Sequence, residues 1–234
     1  NLEKICCGPG GVVWYILGIA QYALHRSGGS VSSVVELYKV TAAYSGLNEN
    51  ELRYVSRVEQ QAGILPIHKR GGGTPPQITA EHIAMFLFGI AGTGTARQAA
   101  TAAKVFASLT RVKDGVKAPQ IVKRGGKEHF KKLPNSYFRT LLDDIVQFGN
   151  EAMANGEALS DGPTRLIFAH DPDFPYAEID WTAPKEPWVY HPPIGTGVYV
   201  SKLGGFKHAA LFDGGIFNIF PVLLAPSDKL LEGE

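Results

Sequence analysis

The sequence predicts an α+β fold, with a mainly helical front domain followed by a small sheet-containing C-terminal domain. Three observations lead there. Apolar residues recur at steps of three and four between residues 31 and 109, and again between 136 and 154, the period of helices packed on one face. Beyond residue 163 the texture changes to short runs rich in β-branched and aromatic residues, separated by Gly, Pro and Asp. Charge divides along the chain as well. Residues 1–142 hold 18 Lys and Arg against 8 Asp and Glu, and residues 143–234 hold 5 against 14, so balances of +10 and −9 lie behind a net charge of +1.

A chain of 234 residues suits one large domain or two small ones. Its 44% hydrophobic content supplies a core and excludes a disordered chain. The expected layout is an apolar segment or tag remnant over 1–29, a helical domain over 30–110, a basic loop over 111–135, and an α+β dimerisation or partner-binding domain over 136–234. The apolar run VVWYILGIAQYAL, residues 12–24, is shorter than the roughly 20 residues that span a bilayer, so no membrane partner is expected. Lys4 ahead of it gives a faint secretory-signal look, but the cleavage site is poor, and a buried helix or added segment is the preferred reading. Cys6 and Cys7 are adjacent, and no CxxC spacing exists. A reducing, cytoplasmic setting with no structural zinc follows.

The elements justify themselves in order. Ser27-Gly28-Gly29-Ser30 is a break, and Ser30 or Ser32 caps a helix whose apolar face is Val31, Val34, Val35, Tyr38 and Ala42; Gly46 ends it. Asn48 or Asn50 caps the next helix, with Leu52, Val55 and Val58 as its buried stripe and Gly63 as its stop. Thr79 caps a third helix with His82 at N3, where an acid would complete a capping box, and Ile83, Phe86, Leu87, Ile90 and Ala91 as its buried face. Thr95 opens an alanine-rich helix over 96–109. The stretch 111–132, with eight Lys and Arg and breaks at Pro119 and Gly125-Gly126, reads as a loop. A helix over 136–154 follows, and 155–163 is a turn-rich boundary. Strands are expected at 164–169, 176–181, 197–201 and 206–212. The apolar run 216–224 fits strand or helix, with Pro221 arguing against a central strand.

The second helix and the stretch after it carry the functional signal. Asn50, Arg53, Tyr54, Arg57 and Gln60 lie off the apolar stripe, and Arg53 and Arg57 are four apart and share a face. Forked and polar side chains on such a face suit contacts to base edges and phosphates. His68-Lys69-Arg70 and three glycines follow at once, and such a tip can approach a phosphate backbone closely. Lys123 and Arg124 in the basic stretch are further phosphate-contact candidates. The plain alternative is a solvated amphipathic helix with a Glu49–Arg53 surface pair beside a solvated hairpin.

The run from Gly63 to Ile83 resembles the wing region of MerR-like winged-helix regulators. The matching pieces are Gly63-Ile64-Leu65-Pro66, Lys69-Arg70-Gly71-Gly72 and Thr79-Ala80-Glu81, within residues 31–92. Gln60-Gln61 stand where that family places an aromatic and arginine pair, and Pro75-Pro76 is additional. The resemblance implies a winged helix–turn–helix domain that binds double-stranded DNA. The overall plan is also similar to regulators of prophages and mobile elements. The expected function is therefore sequence-specific transcription regulation by a homodimer, without enzymatic activity, cofactor or metal.

Two other readings stand beside it. His170, Asp171, Asp173, Glu178 and Asp180 are close enough in sequence to hold Mg²⁺ or Mn²⁺ for phosphodiester cleavage, although a polar turn between strands is the preferred reading of them. A protein–protein adaptor or inhibitor with an acidic rear domain is the third. No GxSxG, HExxH or GxxxxGK[ST] pattern occurs, and the other histidines lack metal spacing.

Overall fold

The opening serine cluster offers several helix caps, and chemistry selects one. Only Ser33 has an acid three residues on. Its hydroxyl accepts the Glu36 N–H at 3.3 Å, and the Glu36 carboxylate accepts the Ser33 N–H at 2.6 Å. This reciprocal box starts α1, Val34–Ser45, so the cap lies at Ser33 and not at the expected Ser30 or Ser32. The structure, a computed structural model, describes residues 33–67, 76–92, 95–112, 121–124, 127–130, 138–155, 162–170, 175–181, 187–192 and 208–224. The expected strand at 197–201 and the break at 27–30 lie outside them.

Gly46 closes α1 in the left-handed conformation, φ 68°, where a Cβ would be strained, and its N–H donates to Ala42 O at 2.9 Å. Asn48 then caps α2, Glu49–Gln61, accepting the Asn50 N–H at 2.8 Å. Thr79 caps α3, Ala80–Ala91, and the His82 ring nitrogen completes the box that an acid usually completes. α3 buries residues on nearly every side, among them Ile83, Phe86, Leu87 and Phe88, which makes it the central helix. A 3-10 turn, Ala96–Gln98, leads into α4, Ala99–Ala107, whose Ala99, Ala102, Ala103 and Phe106 are buried.

The basic stretch is not a single loop. It contributes β1, Thr110–Val112, and a hairpin of β2, Ile121–Arg124, with β3, Lys127–Phe130. The two residues between β2 and β3 are Gly125-Gly126, the tightest hairpin spacing, and four register pairs follow. Residues 138–140, expected within a helix, form β4, Phe138–Thr140, because they pair antiparallel with β1. The helix α5, Leu141–Asn155, begins only after them, at a reciprocal cap between Thr140 and Asp143.

Four more strands complete the sheet: β5, Pro163–His170; β6, Tyr176–Trp181; β7, Trp188–His191; and β8, His208–Asp213. Their order is β4-β1-β7-β6-β5-β8, and every neighbouring pair is antiparallel. A 3-10 turn, Gly214–Asn218, and α6, Ile219–Leu224, end the described chain, with Pro221 in the first helical turn, where its missing N–H costs nothing.

Alternation assigns the two faces of the sheet. Leu166, Phe168, Ala177, Ile179, Tyr190 and Phe212 point to the helices and are buried. Arg165, Ile167, Glu178, Asp180 and Leu211 point away. Phe168 joins the layers: its ring lies 5.9 Å from Phe88 of α3, 5.3 Å from Phe106 of α4 and 5.9 Å from Phe212 of β8. Phe148 of α5 makes a second nest with Trp181, Trp188 and Phe217. The 30–110 and 136–234 segments, expected as separate domains, thus share one hydrophobic core that runs from Leu37 to Leu223. β1 adds a physical reason, since it leaves the helical segment to pair inside the sheet between β4 and β7.

Removing the Phe168 ring should cost about 3–5 kcal/mol in urea unfolding, and Ile167→Ala on the opposite face well under half of that. Equal losses at the two positions would contradict the assignment of faces.

Candidate nucleic-acid interface

The geometry of α2 follows from its sequence. Leu52, Val55, Ser56 and Glu59 recur at steps of three, one and three, and all four are buried. Val58, expected on the stripe, is only half-buried at its margin. The Ser56 hydroxyl is satisfied by donating to Arg53 O at 2.8 Å. The opposite face carries Asn50, Arg53, Tyr54 and Arg57, all exposed. α1 packs beside α2 across the three-residue turn Gly46-Leu47-Asn48, a spacing common to helix–turn–helix pairs.

Electrostatics single out the two arginines. Among the described residues both ion pairs converge on Asp144, so the Glu49–Arg53 surface pair is not made and neither Arg53 nor Arg57 has a carboxylate partner. Glu49 and Glu51 occupy the first turn of α2, where the helix dipole favours them, one turn ahead of the guanidiniums. Glu59 is fully buried, and among the described residues neither carboxyl oxygen has a hydrogen-bond partner. Burial alone pushes its pKa from 4.5 up to about 9, so near neutral pH the group carries a proton and adds no negative charge behind the arginines. Gly89 of α3 makes this burial possible: a Cβ there would fall 1.9 Å from Glu59 Oε1.

The remaining candidates divide. Gln60 is turned inward, and its side-chain amide donates to Pro66 O at 2.8 Å, fastening the chain that leaves α2. His68, Lys69 and Arg70 lie outside the described residues, between buried Leu65 and buried Ile78. Lys123 and Arg124 lie on β2, with Glu128 and Lys127 as their register partners on β3. The structure therefore brings Asn50, Arg53, Tyr54 and Arg57 to one surface and assigns Gln60 a different contact.

Of the acidic cluster, Glu178 and Asp180 share the outer face of β6, as the strand period requires, while Asp171 and Asp173 lie outside the described residues. The Tyr176 hydroxyl donates to Glu178, and Arg165 is the cross-strand neighbour of Asp180. Among the described residues no group of three His, Cys, Asp or Glu could hold a metal ion, and no helix is long and apolar enough to cross a membrane.

A second charged centre was not expected. Asp144, 1% exposed, projects from α5 into the seam with the sheet. It accepts the Tyr190 hydroxyl at 2.7 Å and meets Arg139 Nε at 3.1 Å and Arg111 Nε at 3.4 Å. Arg111 also stacks over Trp188, 3.4 Å from the ring centre, a cation–π contact. Burial raises the Asp144 pKa, while Tyr190 and the two arginines pull it down. Spacing contained the signal: Asp144 falls three after Leu141 and four before Phe148, on the apolar stripe of α5. Glu59 stands in the same relation to Leu52, Val55 and Ser56. The exposed side of Arg139 borders an open groove with Asp143, Gln147 and Glu151, whose charges are mixed.

No protein-family model matches the chain, and no curated protein or solved structure matches it either.

Two outcomes are expected. A Glu with a raised folded-state pKa holds a proton that the unfolded chain has released. Its stability contribution is full below pH 4.5 and falls by about 1.4 kcal/mol per pH unit as pH climbs towards 9. Glu59→Gln should therefore flatten the fall in urea midpoint between about pH 5 and pH 8; an unchanged slope would place the titration elsewhere. Asp144→Ala, which leaves two guanidiniums without their carboxylate, should cost about 3–5 kcal/mol. A loss under ~1 kcal/mol would mean that the seam does not depend on this charge.

Proposed function

We propose that the chain is a double-stranded DNA-binding transcription regulator of winged helix–turn–helix type, with α2 as its recognition helix. The observation that carries this reading is the pair of exposed guanidiniums, Arg53 and Arg57, without an ion-pair partner among the described residues, on the outward face of a helix packed beside α1 across a three-residue turn. Asn50 and Tyr54 flank them and offer hydrogen bonds to base edges. Glu49 and Glu51 repel phosphate at the start of α2, so backbone contacts fall to the two arginines beyond its first turn. Further support comes from the sequence after α2, where Lys69 and Arg70 would supply the cations that the proposed wing needs. Gln60, bound to Pro66, contributes by fixing the exit towards that segment.

The test is a mobility-shift titration with Arg53→Ala/Arg57→Ala and, separately, Lys69→Ala/Arg70→Ala. Arg53 and Arg57 support no described contact in the fold, so the double variant should unfold like the parent. Its DNA affinity should fall at least about tenfold, and the salt dependence should flatten by about two units of slope. Unchanged affinity and slope in both double variants would remove the assignment.

A further inference from the structure

Among the described residues three helices start at a reciprocal cap, and one of them is built differently. α1 begins at Ser33 with Glu36, and α5 at Thr140 with Asp143, so a carboxylate accepts the cap N–H in each. α3 begins at Thr79 with His82. The Thr79 N–H donates to His82 Nδ1 at 3.1 Å, and the His82 N–H donates to the Thr79 hydroxyl oxygen at 3.3 Å. That hydroxyl also lies 3.0 Å from Nδ1. A backbone N–H can only donate, so Nδ1 must accept. The ring is therefore neutral, with its one proton on Nε2.

Protonation turns this acceptor into a donor. Two N–H groups then face each other, and a positive charge enters the first turn of α3, where the helix dipole disfavours it. An ordinary carboxylate keeps its charge well below about pH 6, so a box completed by Glu or Asp has no such release. α3 packs against α2, α4, α5, α6, β8 and the 3-10 turn Ala96–Gln98. The ionisable side chains described there are Glu49, Glu51, Arg53, Tyr54, Arg57 and Glu59 of α2, Arg97 of the turn, Lys104 of α4, Asp143, Asp144 and Glu151 of α5, and Asp213 of β8; α6 has none. None of these acts on the His82 charge. Glu81 beside it does, and favours the cation, but burial of the ring outweighs it and holds the pKa below 6.5. The contribution of the cap is thus complete above pH 6.5 and is lost as pH falls through that lowered value.

The cap also has a place in the chain. Gln60 fastens the exit from α2 to Pro66 O, and the Thr79–His82 pair fastens the entry into α3. Ile78 and Ile83, both buried, stand on either side of it, so opening is confined to the cap turn and leaves the helix docked. We infer that the Thr79–His82 cap is an acid-released latch, closed while His82 is neutral and open once it gains a proton, so that the chain's entry into α3 loosens in mildly acid solution. The inference stands on the cap and does not depend on DNA binding.

Nitrogen-15 NMR of the full chain, from about pH 7.5 down to about pH 5, tests it. At the upper end His82 Nδ1 should carry the shift of an unprotonated ring nitrogen, and Nε2 that of a protonated one. The Thr79 amide should move with Nδ1 along one titration curve with its midpoint below 6.5, while the Ser33 amide, held by a carboxylate, stays in place. His82→Gln keeps an acceptor at N3 that does not titrate. Over the same range the unfolding constant from urea titration should rise about fivefold more in the parent than in His82→Gln, the size of a typical cap. A proton on Nδ1 in neutral solution, a Thr79 amide that does not follow the ring, or equal acid losses in the two chains would each overturn the inference.

Discussion

One buried carboxylate ties the two kinds of secondary structure together. Asp144 leaves the apolar stripe of α5 and meets a residue from each of three strands: Arg111 of β1, Arg139 of β4 and Tyr190 of β7. These strands come from distant parts of the sequence and form one side of the sheet. An ion removed from water costs several kcal/mol, so the arrangement holds only when its partners stay in register. Arg111 is fixed further by its stack on Trp188, whose ring packs with Trp181 and Phe148. The charge centre and the aromatic nest thus enforce the same docking of helix on sheet.

Glu59 presents the opposite solution to the same problem. Among the described residues no arginine reaches it, and the cations on the elements around it, Lys39 of α1, Arg97 of the 3-10 turn and Lys104 of α4, are on exposed faces. His82 and Glu81 of α3 lie at the far end of that helix from Gly89. The carboxyl therefore keeps its proton, tucked against Gly89, and α2 docks on α3 as a neutral surface. The consequence reaches the outer side of α2. Its exposed charges are two acids in the first turn and two arginines after them, with nothing negative beneath the arginines to attract their charge inward.

The sequence made the helices plain where local chemistry and period agreed. Thr79, the apolar face after it and Gly46 each required one answer. It was less plain where a local signal had competitors. Three serines offered themselves before α1, and the acid at Glu36 decided among them. Gly125-Gly126 flanked by VKR and KEH has the spacing of a hairpin, but beside Pro119 and Pro134 the same glycines argue as well for a loop. Phe138 fitted the helical period of α5, yet pairing with β1, which no local pattern encodes, drew it into a strand. β7 is four residues long and depends on its neighbours for burial. The change of texture near residue 160 reads as a boundary, whereas Phe168 beyond it packs on Phe88 and Phe106 before it and makes the core single. The outward face of α2 was legible, and so in principle were Glu59 and Asp144, both of which sit at apolar spacing.

The proposed DNA recognition requires that the outward face of α2 be the surface that meets a duplex. The most direct measurement is an amide chemical-shift titration of the isotopically labelled chain with a short DNA duplex. Shifts concentrated at residues 49–61 and in the segment after Ile67, with the outer face of β5 and β6 unchanged, are what the account predicts. Shifts centred on the sheet, or no saturable shifts at low salt, would contradict it.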